Sequence, residues 1–437
     1  MSLGDAIGAV DLVDERAYSP ASEEYLKVRD IGERKALGQY LTPRSVRERL
    51  LDSVPLADGD RVLDPGVGTG EFLLSAERRA SGLYLEGWDI DPQALSVARE
   101  VVPDATLIQQ DGLLNRPDTP FDVVIGNPPY FEIRGIDSST KRKYASVISG
   151  RPNIFALFFA VALESVRDGG HVAYVVPPSM NNGAYFSRLR EYIREHASVE
   201  HLEVLDGSRV FADAQTSVQL IVLKKGGKST RFTADLGALS GSPRHRVILT
   251  DNAAHFEGLY EGRSSLWALG YEAVTGTVVW NNHRERLRRE ASASTVPLMW
   301  ASNIGAEPDV LINDDHPKRP QYIEGVTPIE GPAIIVNRIV GSVGAGSLRC
   351  ALVPEGMKFV GENHVNVIRS RPGVTPRVSI SDVLAALRSP LMSERVRNLT
   401  GNTQLSATEL THWLPLDIER PGGMSEPAAE GDVQTLF

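Results

Sequence analysis

The sequence predicts an α/β fold with a doubly wound, mostly parallel sheet, followed by a second and less regular domain. Seven short apolar segments between residues 61 and 224 alternate with segments of helical periodicity, as strands and helices do in such a sheet. Only residues 207–216 separate the last two apolar segments, too few for a helical crossover, so we expect an antiparallel pair there. After the glycine- and lysine-rich segment 224–229, glycines, prolines and short β-branched runs predict a mixed α/β module.

Local patterns define the predicted elements of the first domain. Pro92 after Asp91 is typical of a helix start, because aspartate caps the helix and proline fits its first turn. The glycines of Asp168-Gly169-Gly170 are typical of a helix end. Together the patterns predict helices at 70–80, 92–101, 154–166 and 185–196, between strands at 61–64, 83–89, 105–109, 121–126, 171–177, 199–205 and 217–224.

The length and the sequence pattern of the chain suggest how it divides into domains. At about 150 residues per domain, 437 residues correspond to two or three domains. We expect an N-terminal arm at 1–30, the regular α/β domain at 31–225, the second domain at 230–416 and a disordered tail at 417–437. In the second domain, residues 379–388 and 391–399 have helical patterns.

Composition and charge narrow the class of protein. Cys350 is the only cysteine, which excludes a disulfide framework and a cysteine-rich zinc site, and we predict no metal. The net charge of -10 argues against a protein that coats nucleic acid through bulk charge, but it leaves room for a local basic face. The chain has no signal-peptide pattern, and no apolar run approaches the roughly 20 residues that span a bilayer. We therefore expect a cytoplasmic protein without membrane contact.

A glycine-rich segment, Asp64-Pro65-Gly66-Val67-Gly68-Thr69-Gly70, stands between a predicted strand and a predicted helix. Glycines at such a turn let a ligand approach the backbone, and the helix that follows offers unpaired N–H groups. The spacing G-x-G-x-G differs from the G-x-G-x-x-G of nicotinamide and flavin binders. The acid before the glycines would repel a pyrophosphate but suits an ammonium group. A tight turn without a ligand is the alternative interpretation.

Two further strands also end in acids. Asp89 ends the second predicted strand about 20 residues after the glycines, where a carboxylate commonly holds a ribose diol. Asp91 is better placed as a helix N-cap. Asp111 follows the third strand and could accept from an adenine amino group. Three acids at one edge of a parallel sheet predict a nucleoside cleft, although solvated loop acids could produce the same pattern by chance.

The segment Asn127-Pro128-Pro129-Tyr130 follows the fourth predicted strand directly. Two prolines stiffen the turn, so the Asn side chain and a neighbouring carbonyl are held in a defined position. These groups are hydrogen-bond acceptors beside an aromatic face, without an acid, thiol or hydroxyl nucleophile. They suit a planar amino group, whose two protons they can accept while the nitrogen lone pair turns toward an electrophile. The alternative is a diproline loop cap.

With these motifs the chain resembles the S-adenosylmethionine-dependent amino-methyltransferases, and among them the gamma class of adenine-N6 DNA methyltransferases. That class has a G-x-x-x-T-P motif before the glycine loop, found here at residues 38–43. Downstream, residues 152–158 resemble the fifth motif of the class and residues 210–217 the eighth. The resemblance covers about 37–225, and Val67 departs from the class at a packing position that usually holds Cys.

The resemblance implies a Rossmann-like seven-stranded sheet of the class I methyltransferases, S-adenosylmethionine as the cofactor, and an adenine flipped out of duplex DNA as the substrate. Asn127 and the Pro128 carbonyl would accept the amino protons, while Tyr130 and Phe211 hold the adenine ring. The cofactor-binding residues that the resemblance implies are Thr42, Asp64, Gly66, Val67, Gly68, Asp89, Asp111, Pro129 and Phe158.

In this class the second domain reads DNA sequence. Residues 280–289 pack four arginines beside an amide pair, and Asn337-Arg338 precedes a glycine-rich stretch. Arginine and asparagine read guanine and adenine edges, although a basic helix is more often a solvated face or a phosphate anchor. Residues 388–405 resemble the closing segment of recognition domains. The candidate DNA-binding residues are Arg284, Arg286, Arg288, Arg289 and Arg338.

We therefore predict a site-specific, adenine-specific DNA methyltransferase, the modification enzyme of a restriction-modification system. Its partners would be double-stranded DNA and, at the same site but not as a stable subunit, a cognate restriction endonuclease. Two alternatives remain. One keeps the chemistry but methylates an RNA base or a protein glutamine; such enzymes usually lack both the Thr42-Pro43 motif and a large C-terminal module. The other is a non-catalytic DNA specificity protein, against which the intact Asn127, Tyr130 and Asp89 argue.

Overall fold

The computed structural model describes residues 17–36, 38–133, 135–148, 153–181, 183–205, 217–228, 231–316, 318–338, 348–393, 395–396 and 405–419. The chain forms two compact units. The first comprises residues up to Asp235 together with Arg246–Phe256, and the second comprises Leu236–His245 and the chain from Glu257 onward.

The first unit is built on a seven-stranded sheet, which confirms the predicted fold class. The strand order is β3-β2-β1-β4-β5-β7-β6, and β7 is antiparallel to both of its neighbours while the other pairs are parallel. The predicted antiparallel partner is therefore present. The seven strands are β1 (Arg61–Asp64), β2 (Tyr84–Asp89), β3 (Thr106–Gln109), β4 (Phe121–Gly126), β5 (Val166–Val176), β6 (Ala197–Leu205) and β7 (Val218–Lys225).

Helices cover both faces of this sheet, and a short antiparallel pair follows it, β8 (Thr233–Asp235) with β9 (Val247–Leu249). Asp91 caps α5 by accepting from the Gln93 N–H at 2.9 Å, as the sequence predicts. The helices of the unit are α1 (Pro20–Val28), α2 (Ile31–Ala36), α3 (Arg44–Leu51), α4 (Glu71–Glu77), α5 (Pro92–Val101), α6 (Ser138–Lys143), α7 (Ile154–Ser165) and α8 (Ser187–His196).

Alternate residues of each strand feed two separate cores. Leu63 and Val124 pack on one face with the apolar helix α7, whereas Val62, Val123 and Ile125 pack on the other. Such alternation is what a sheet with both faces covered requires. The two cores fix the strand ends at which the site residues lie.

Some element boundaries differ from the sequence prediction. Helix α7 ends at Ser165, and Asp168-Gly169-Gly170 lies within β5 rather than at a helix end. Gly169 has a φ of 77°, and the register between β4 and β5 shifts beside it. The glycines therefore form an irregularity in a long strand. Glycines in a sequence do not by themselves distinguish a helix end from such a bulge.

The ends of the first unit also differ from the predicted division. Helix α1 packs against α5, so residues 17–30 form part of the unit rather than a separate arm. Residues 246–256 return to it from beyond the predicted boundary at 225. Both additions depend on packing between segments distant in sequence.

The second unit contains a four-stranded sheet, β11-β19-β16-β17, a five-stranded sheet, β12-β14-β13-β18-β15, and the pair β10-β20. Its strands are β10 (Arg263–Ser264), β11 (Tyr271–Thr275), β12 (Leu287–Arg288), β13 (Thr295–Met299), β14 (Tyr322–Glu324), β15 (Ile329–Glu330), β16 (Ala333–Asn337), β17 (Cys350–Val353), β18 (Lys358–Gly361), β19 (Val365–Ser370) and β20 (Leu416–Glu419).

Short helices accompany these sheets: α9 (Leu236–Ser240), α10 (Ala253–Tyr260), which begins in the first unit, α11 (Leu266–Leu269), α12 (Ile380–Leu387) and α13 (Ala407–His412). Helix α12 lies where the pattern at 379–388 predicts one, with Ser379 as its N-cap. The predicted helix at 391–399 falls only partly on described residues, and the predicted tail lies outside them after residue 419. Within the described residues, no helix has the length and apolar character needed to cross a membrane.

Candidate active site

One cleft of the first unit opens at the carboxyl ends of β1, β2 and β4. Parallel strands end at the same edge of a sheet, so loops that are distant in sequence meet there. The cleft is lined by Tyr25, Gly38, Gln39, Tyr40, Leu41, Thr42, Asp64, Pro65, Gly66, Val67, Gly68, Thr69, Glu71, Phe72, Asp89, Ile90, Ala94, Gln110, Asp111, Gly112, Leu113, Asn127, Pro129, Phe131, Ile154 and Phe158.

The glycine loop forms the wall of the cleft between β1 and α4. Gly68 and Gly70 have φ values of 52° and 86°, a region that side-chain-bearing residues rarely adopt. A Cβ on Gly68 would meet nothing within 4 Å, so it is the backbone angle rather than lack of space that favours glycine there. The Gly68 N–H donates to Asp89 Oδ2 at 2.8 Å and thereby links the loop to the end of β2.

Asp64 is the most buried acid of the cleft, with 2% of its surface exposed. Its Oδ1 accepts from the Gly66 N–H at 3.0 Å. Burial, with a smaller contribution from the nearby Asp89 carboxylate, raises the pKa of Asp64 to about 8, although the hydrogen bond from the Gly66 N–H acts in the opposite direction. Gly126, with a φ of 150°, approaches so closely that a Cβ there would lie 2.7 Å from Asp64 Oδ1. The end of the neighbouring strand β4 therefore packs closely against this carboxyl group, and a side chain at residue 126 would clash with it.

Asp89 and Asp111 lie at the ends of the second and third strands and complete the acidic edge of the cleft. Asp89 Oδ1 accepts from the Asp91 N–H at 2.8 Å, and burial raises the pKa of Asp89. Asp111 Oδ1 accepts from the Leu113 N–H at 2.9 Å, which closes a tight turn. Each carboxylate oxygen can accept a second hydrogen bond, so both groups can still bind a ligand.

Thr42 provides a direct indication that the cleft is built for a polar ligand. The residue is 2% exposed and lines the cleft, yet its Oγ1 has no hydrogen-bond partner among the described residues. Buried hydroxyls are almost always hydrogen-bonded, so an unpartnered one in a cleft wall points to a ligand that supplies the partner. Phe158 adds an apolar surface to the same cleft. A ligand with charged, polar and aromatic parts, such as S-adenosylmethionine, fits these walls.

The Asn127 amide is held from both of its ends. Its Nδ2 donates to the Tyr40 carbonyl at 2.8 Å, and its Oδ1 contacts the Tyr130 hydroxyl. The same hydroxyl lies 2.7 Å from the Val175 carbonyl on β5. Burial raises the pKa of Tyr130 well above its usual range, so the hydroxyl keeps its proton. The amide plane is thus fixed at the end of β4.

The structure brings most of the predicted site residues to this one cleft. All nine predicted cofactor residues line it, as does Asn127. Pro128 and Tyr130 follow directly but are not among the lining residues, and the Tyr130 ring packs edge-on against Phe155 at 6.4 Å. Phe211 and the eighth motif lie outside the described residues.

The cleft also contains residues that the sequence analysis did not select. Tyr25 lies on α1, Gln39 belongs to the G-x-x-x-T-P segment, and Glu71 begins α4. Gln39 and Glu71 stand inside or beside recognised motifs, so their proximity in sequence could have drawn attention to them. Tyr25 carries no such signal, because only the packing of α1 brings it to the cleft.

The predicted arginine cluster of the second unit differs from a basic helix. Residues Trp280–Arg286 form a 3-10 turn with a kink at His283, and Leu287–Arg288 is a strand. Three of the arginines bind groups of their own unit. Arg286 donates to the Glu324 carbonyl at 3.0 Å, Arg288 pairs with Glu324 at 2.7 Å, and Arg289 donates to the His316 carbonyl at 3.0 Å.

The other two candidate arginines also have contacts within the second unit. Arg284 lies over the Trp280 ring, with its Cζ 5.1 Å from the ring centre, and donates to Asn281 Oδ1 at 2.9 Å. Arg338 donates to the Asn363 carbonyl at 2.9 Å. Among the contacts of the five arginines with described residues, those of Arg284 are confined to neighbours in the same turn, and its side chain is exposed.

The sheet order with a single antiparallel strand, the glycine loop and the acidic strand ends together define a class I methyltransferase, for which S-adenosylmethionine is the methyl donor. Comparison with known families narrows this class. The family described as "Eco57I restriction-modification methylase" matches residues 104–211, the part of the chain that contains the Asn127–Tyr130 turn.

Individual relatives match much more of the chain. "Type II methyltransferase M.BsuBI" from Bacillus subtilis is 24% identical over 86% of this chain and 86% of its own. "Modification methylase CviBIII" from Paramecium bursaria Chlorella virus NC1A is 23% identical over 91% of this chain and 98% of its own. "Type II methyltransferase M.TthHB8I" from Thermus thermophilus is 28% identical over 44% and 46%. The prediction of a restriction-modification methyltransferase is confirmed.

Proposed function

We propose that this restriction-modification methyltransferase transfers a methyl group from S-adenosylmethionine to the exocyclic N6 amine of an adenine in duplex DNA. The observation that carries the proposal is the fixed Asn127 amide at the end of β4, in the wall of the cleft that suits the cofactor. An amide acceptor of this kind suits an amino group that is conjugated to a ring, because it can accept one of that group's protons.

The chemistry follows from what these acceptors do to such an amine. Asn127 Oδ1 and the Pro128 carbonyl accept the two amino protons, which draws the nitrogen toward tetrahedral geometry and exposes its lone pair. With S-adenosylmethionine bound, this lone pair would take the methyl group, the new carbon–nitrogen bond forming as the carbon–sulfur bond breaks. The nitrogen is then cationic and loses one proton, so no strong base is needed beforehand. Tyr130 and Phe211 are proposed to hold the ring.

The cofactor-binding roles follow the order of the strand ends. S-adenosylmethionine supplies the methyl group when it is bound. Asp89 is proposed to hold the ribose diol, Asp111 the adenine amino group, and Asp64 the ammonium of the methionine part. Thr42 contributes a hydroxyl to the polar wall, Pro129 and Phe158 supply apolar surfaces, and the loop Gly66-Val67-Gly68 lets the ligand approach the backbone.

The target base must leave the double helix to reach such a site. A stacked adenine presents its amine inside the duplex, so the base is extruded at a cost of a few kcal/mol. Contacts beyond the pocket have to offset that cost, and we assign them to the second unit as a DNA-recognition domain. The similarity to the Bacillus subtilis and viral methyltransferases supports this role, because it extends over 86% and 91% of this chain.

The structure changes which arginine we favour for DNA contact. Arg286, Arg288 and Arg289 bind carbonyl or carboxylate groups of their own unit, which suits a structural role. Arg284 sits in an exposed turn beside an aromatic ring, and we propose it as a phosphate or base contact. We also propose that the enzyme works in the cytoplasm, as an enzyme of a restriction-modification system that methylates cellular DNA. A cognate endonuclease that cuts the same sequence remains part of the proposal.

The experiment that tests the function offers three classes of acceptor to the same enzyme. Purified protein is incubated with tritiated S-adenosylmethionine and with genomic duplex DNA, total RNA or a protein extract, beside the Asn127→Ala variant as a control. We expect label in duplex DNA as N6-methyladenine, at least about 100-fold less with Asn127→Ala. Label confined to RNA or to protein would contradict the proposal, and so would DNA binding without any transfer.

A further inference from the structure

We propose that helix α1 belongs to the cofactor site and that Tyr25, on this helix, closes the cleft over bound S-adenosylmethionine. The inference rests on the proposed function, because it takes the ligand of the cleft to be this cofactor. It assigns a binding role to a segment that precedes every motif of the family resemblance.

Tyr25 connects α1 to two other parts of the cleft, the segment that contains Gln39 and the end of β2. It is 5% exposed and lines the cleft together with Gln39 and Asp89. Its hydroxyl lies 3.0 Å from Gln39 Oε1 and 3.4 Å from Asp91 Oδ2, and Gln39 Nε2 donates to that same carboxylate oxygen at 3.1 Å. Tyr25 thus stands beside the acids that end β2, where the ribose is proposed to bind.

The first turn of α1 is fastened to the glycine loop. Ser22 Oγ donates to Thr69 Oγ1 at 2.8 Å, and the Ser19 N–H donates to Glu71 Oε1 at 2.8 Å. Thr69 and Glu71 both line the cleft. A ligand that orders the glycine loop therefore also orders the start of α1.

The far end of α1 is fastened to the start of α5. Arg29 pairs with Asp91 at 3.5 Å, and its side chain is only 17% exposed. The helix is therefore held at both ends, on either side of Tyr25. Tyr25 lies between the two attachments and lines the cleft, so both attachments help to hold this part of the cleft wall in place.

The Tyr25 hydroxyl is available as a neutral hydrogen-bond donor. Burial, with the Asp91 carboxylate beside it, raises the pKa of Tyr25 to about 12, so the group keeps its proton at neutral pH. A neutral donor and an aromatic ring suit the polar and apolar parts of a nucleoside. The hydroxyl can therefore exchange its contact with Gln39 for one with the ligand.

The test measures cofactor binding and the protection of α1, without relying on turnover. Calorimetry gives the S-adenosylmethionine affinity of the wild type, Tyr25→Ala, Tyr25→Phe and a matched control, Tyr84→Ala, whose tyrosine lies at the start of β2 outside the cleft and is 37% exposed. We expect Tyr25→Ala to lose at least about tenfold in affinity, which corresponds to 1.4 kcal/mol. Tyr25→Phe should lose less, and Tyr84→Ala nothing.

Trypsin cleavage after Lys27 supplies the second readout, because this side chain on α1 is 70% exposed. Added cofactor should slow this cleavage in the wild type and do so much less in Tyr25→Ala. A folded Tyr25→Ala protein with wild-type affinity would overturn the inference, and so would cofactor binding that leaves cleavage unchanged. In both of those cases the proposed function stands. A wild type that does not bind S-adenosylmethionine would overturn the proposed function and this inference with it.

Discussion

At Asp64 the fold keeps a carboxyl group out of water, and burial raises its pKa to about 8. At pH 7 the group is then mostly a neutral acid in the ligand-free protein. A ligand ammonium beside it would favour the anion, because an opposite charge lowers the pKa of an acid. Cofactor binding should therefore release a proton from this residue.

We predict close to one proton released per bound S-adenosylmethionine at about pH 6.5, where an α-amino group is still protonated. Affinity should rise with pH toward 8, by up to tenfold per unit, because fewer protons then have to leave Asp64. Calorimetry in buffers of different ionisation enthalpy counts the protons. Asp64→Asn should bind more weakly and release none. Equal release from this variant would remove Asp64 from contact with the ammonium.

Substitutions of Asn127 and of Tyr130 should impair methyl transfer in different ways. Asn127→Ala removes an acceptor that acts in the transition state, so methyl transfer should fall by about 100-fold or more while DNA and cofactor still bind. On the proposed function, Tyr130→Ala removes a stacking surface worth about 1–3 kcal/mol for an unstacked base, and it also removes the hydroxyl that contacts Asn127 Oδ1. Single-turnover rates on DNA with a mismatch at the target adenine should recover partly for Tyr130→Ala, because extrusion costs less there. No recovery with Tyr130→Ala, or an equal recovery with Asn127→Ala, would contradict this division.

The position of a site residue could be predicted from the sequence where a local motif contains that residue. Asp64 and Asp89 end predicted strands and Asn127 follows one directly, and parallel strands bring these ends together. Tyr25 could not be found in this way, because its position depends on how α1 packs against α5. Nor does a motif show that the Asn127 amide is held by the Tyr40 carbonyl.

At the scale of elements, one buried ion pair joins α3 to α4 beside the cleft. Arg47 and Glu71 lie 2.6 Å apart, with side chains 1% and 5% exposed. Arg47 also donates to the Thr42 carbonyl and to Ser75 Oγ, and Glu71 accepts from the Ser19 N–H. The pair thus fixes the start of α4 relative to the chain segment that carries Thr42.

Breaking this pair should destabilise the protein strongly. Arg47→Met leaves the Glu71 carboxylate buried without its cation, and we expect a loss of about 3–5 kcal/mol in the free energy of unfolding. The matched control is Arg49→Met, which breaks a pair with Glu203 whose side chains are 37% and 27% exposed. That change should cost at most about 1 kcal/mol. Urea unfolding of both variants measures the difference, and equal losses would show that burial of the pair is not decisive.

In the second unit the arginine-rich segment 280–289 forms a kinked turn and a short strand. The sequence 280–289 contains no proline or glycine that would break a helix. The turn is instead held by distant groups, since Arg286 and Arg288 both bind Glu324 on β14. Such a contact across 36 or more residues cannot be inferred from local periodicity.

These contacts predict different effects for substitutions of Arg284 and of Arg286. Arg284→Ala should lower the slope of DNA affinity against salt by about one if Arg284 binds a phosphate. Arg286→Ala should instead lower the stability of the protein, because it removes the hydrogen bond to the Glu324 carbonyl. Fluorescence anisotropy at several salt concentrations and thermal unfolding of both variants distinguish them. An altered preference at one base pair with an unchanged slope would support base readout by Arg284.

At the scale of the whole molecule, the two units differ in how far sequence predicts them. The first has apolar strands of four to eleven residues in its main sheet, most of them separated by helices, so strand number and direction follow from periodicity and from the right-handed crossover rule. The second has strands of two to six residues paired across distant parts of the chain, such as β11 with β19. Its sheets therefore depend on long-range contacts that a local pattern does not contain.

The central claim is that this chain methylates the N6 position of adenine at a defined DNA sequence. Methylation-aware sequencing of DNA from a methylation-deficient host that expresses the wild type or Asn127→Ala tests it most directly. We expect N6-methyladenine at one recurring sequence in the wild-type sample and its loss in the variant. Unmodified DNA from cells that contain folded, cofactor-binding protein, or methylation on cytosine, would show that the proposed activity is wrong.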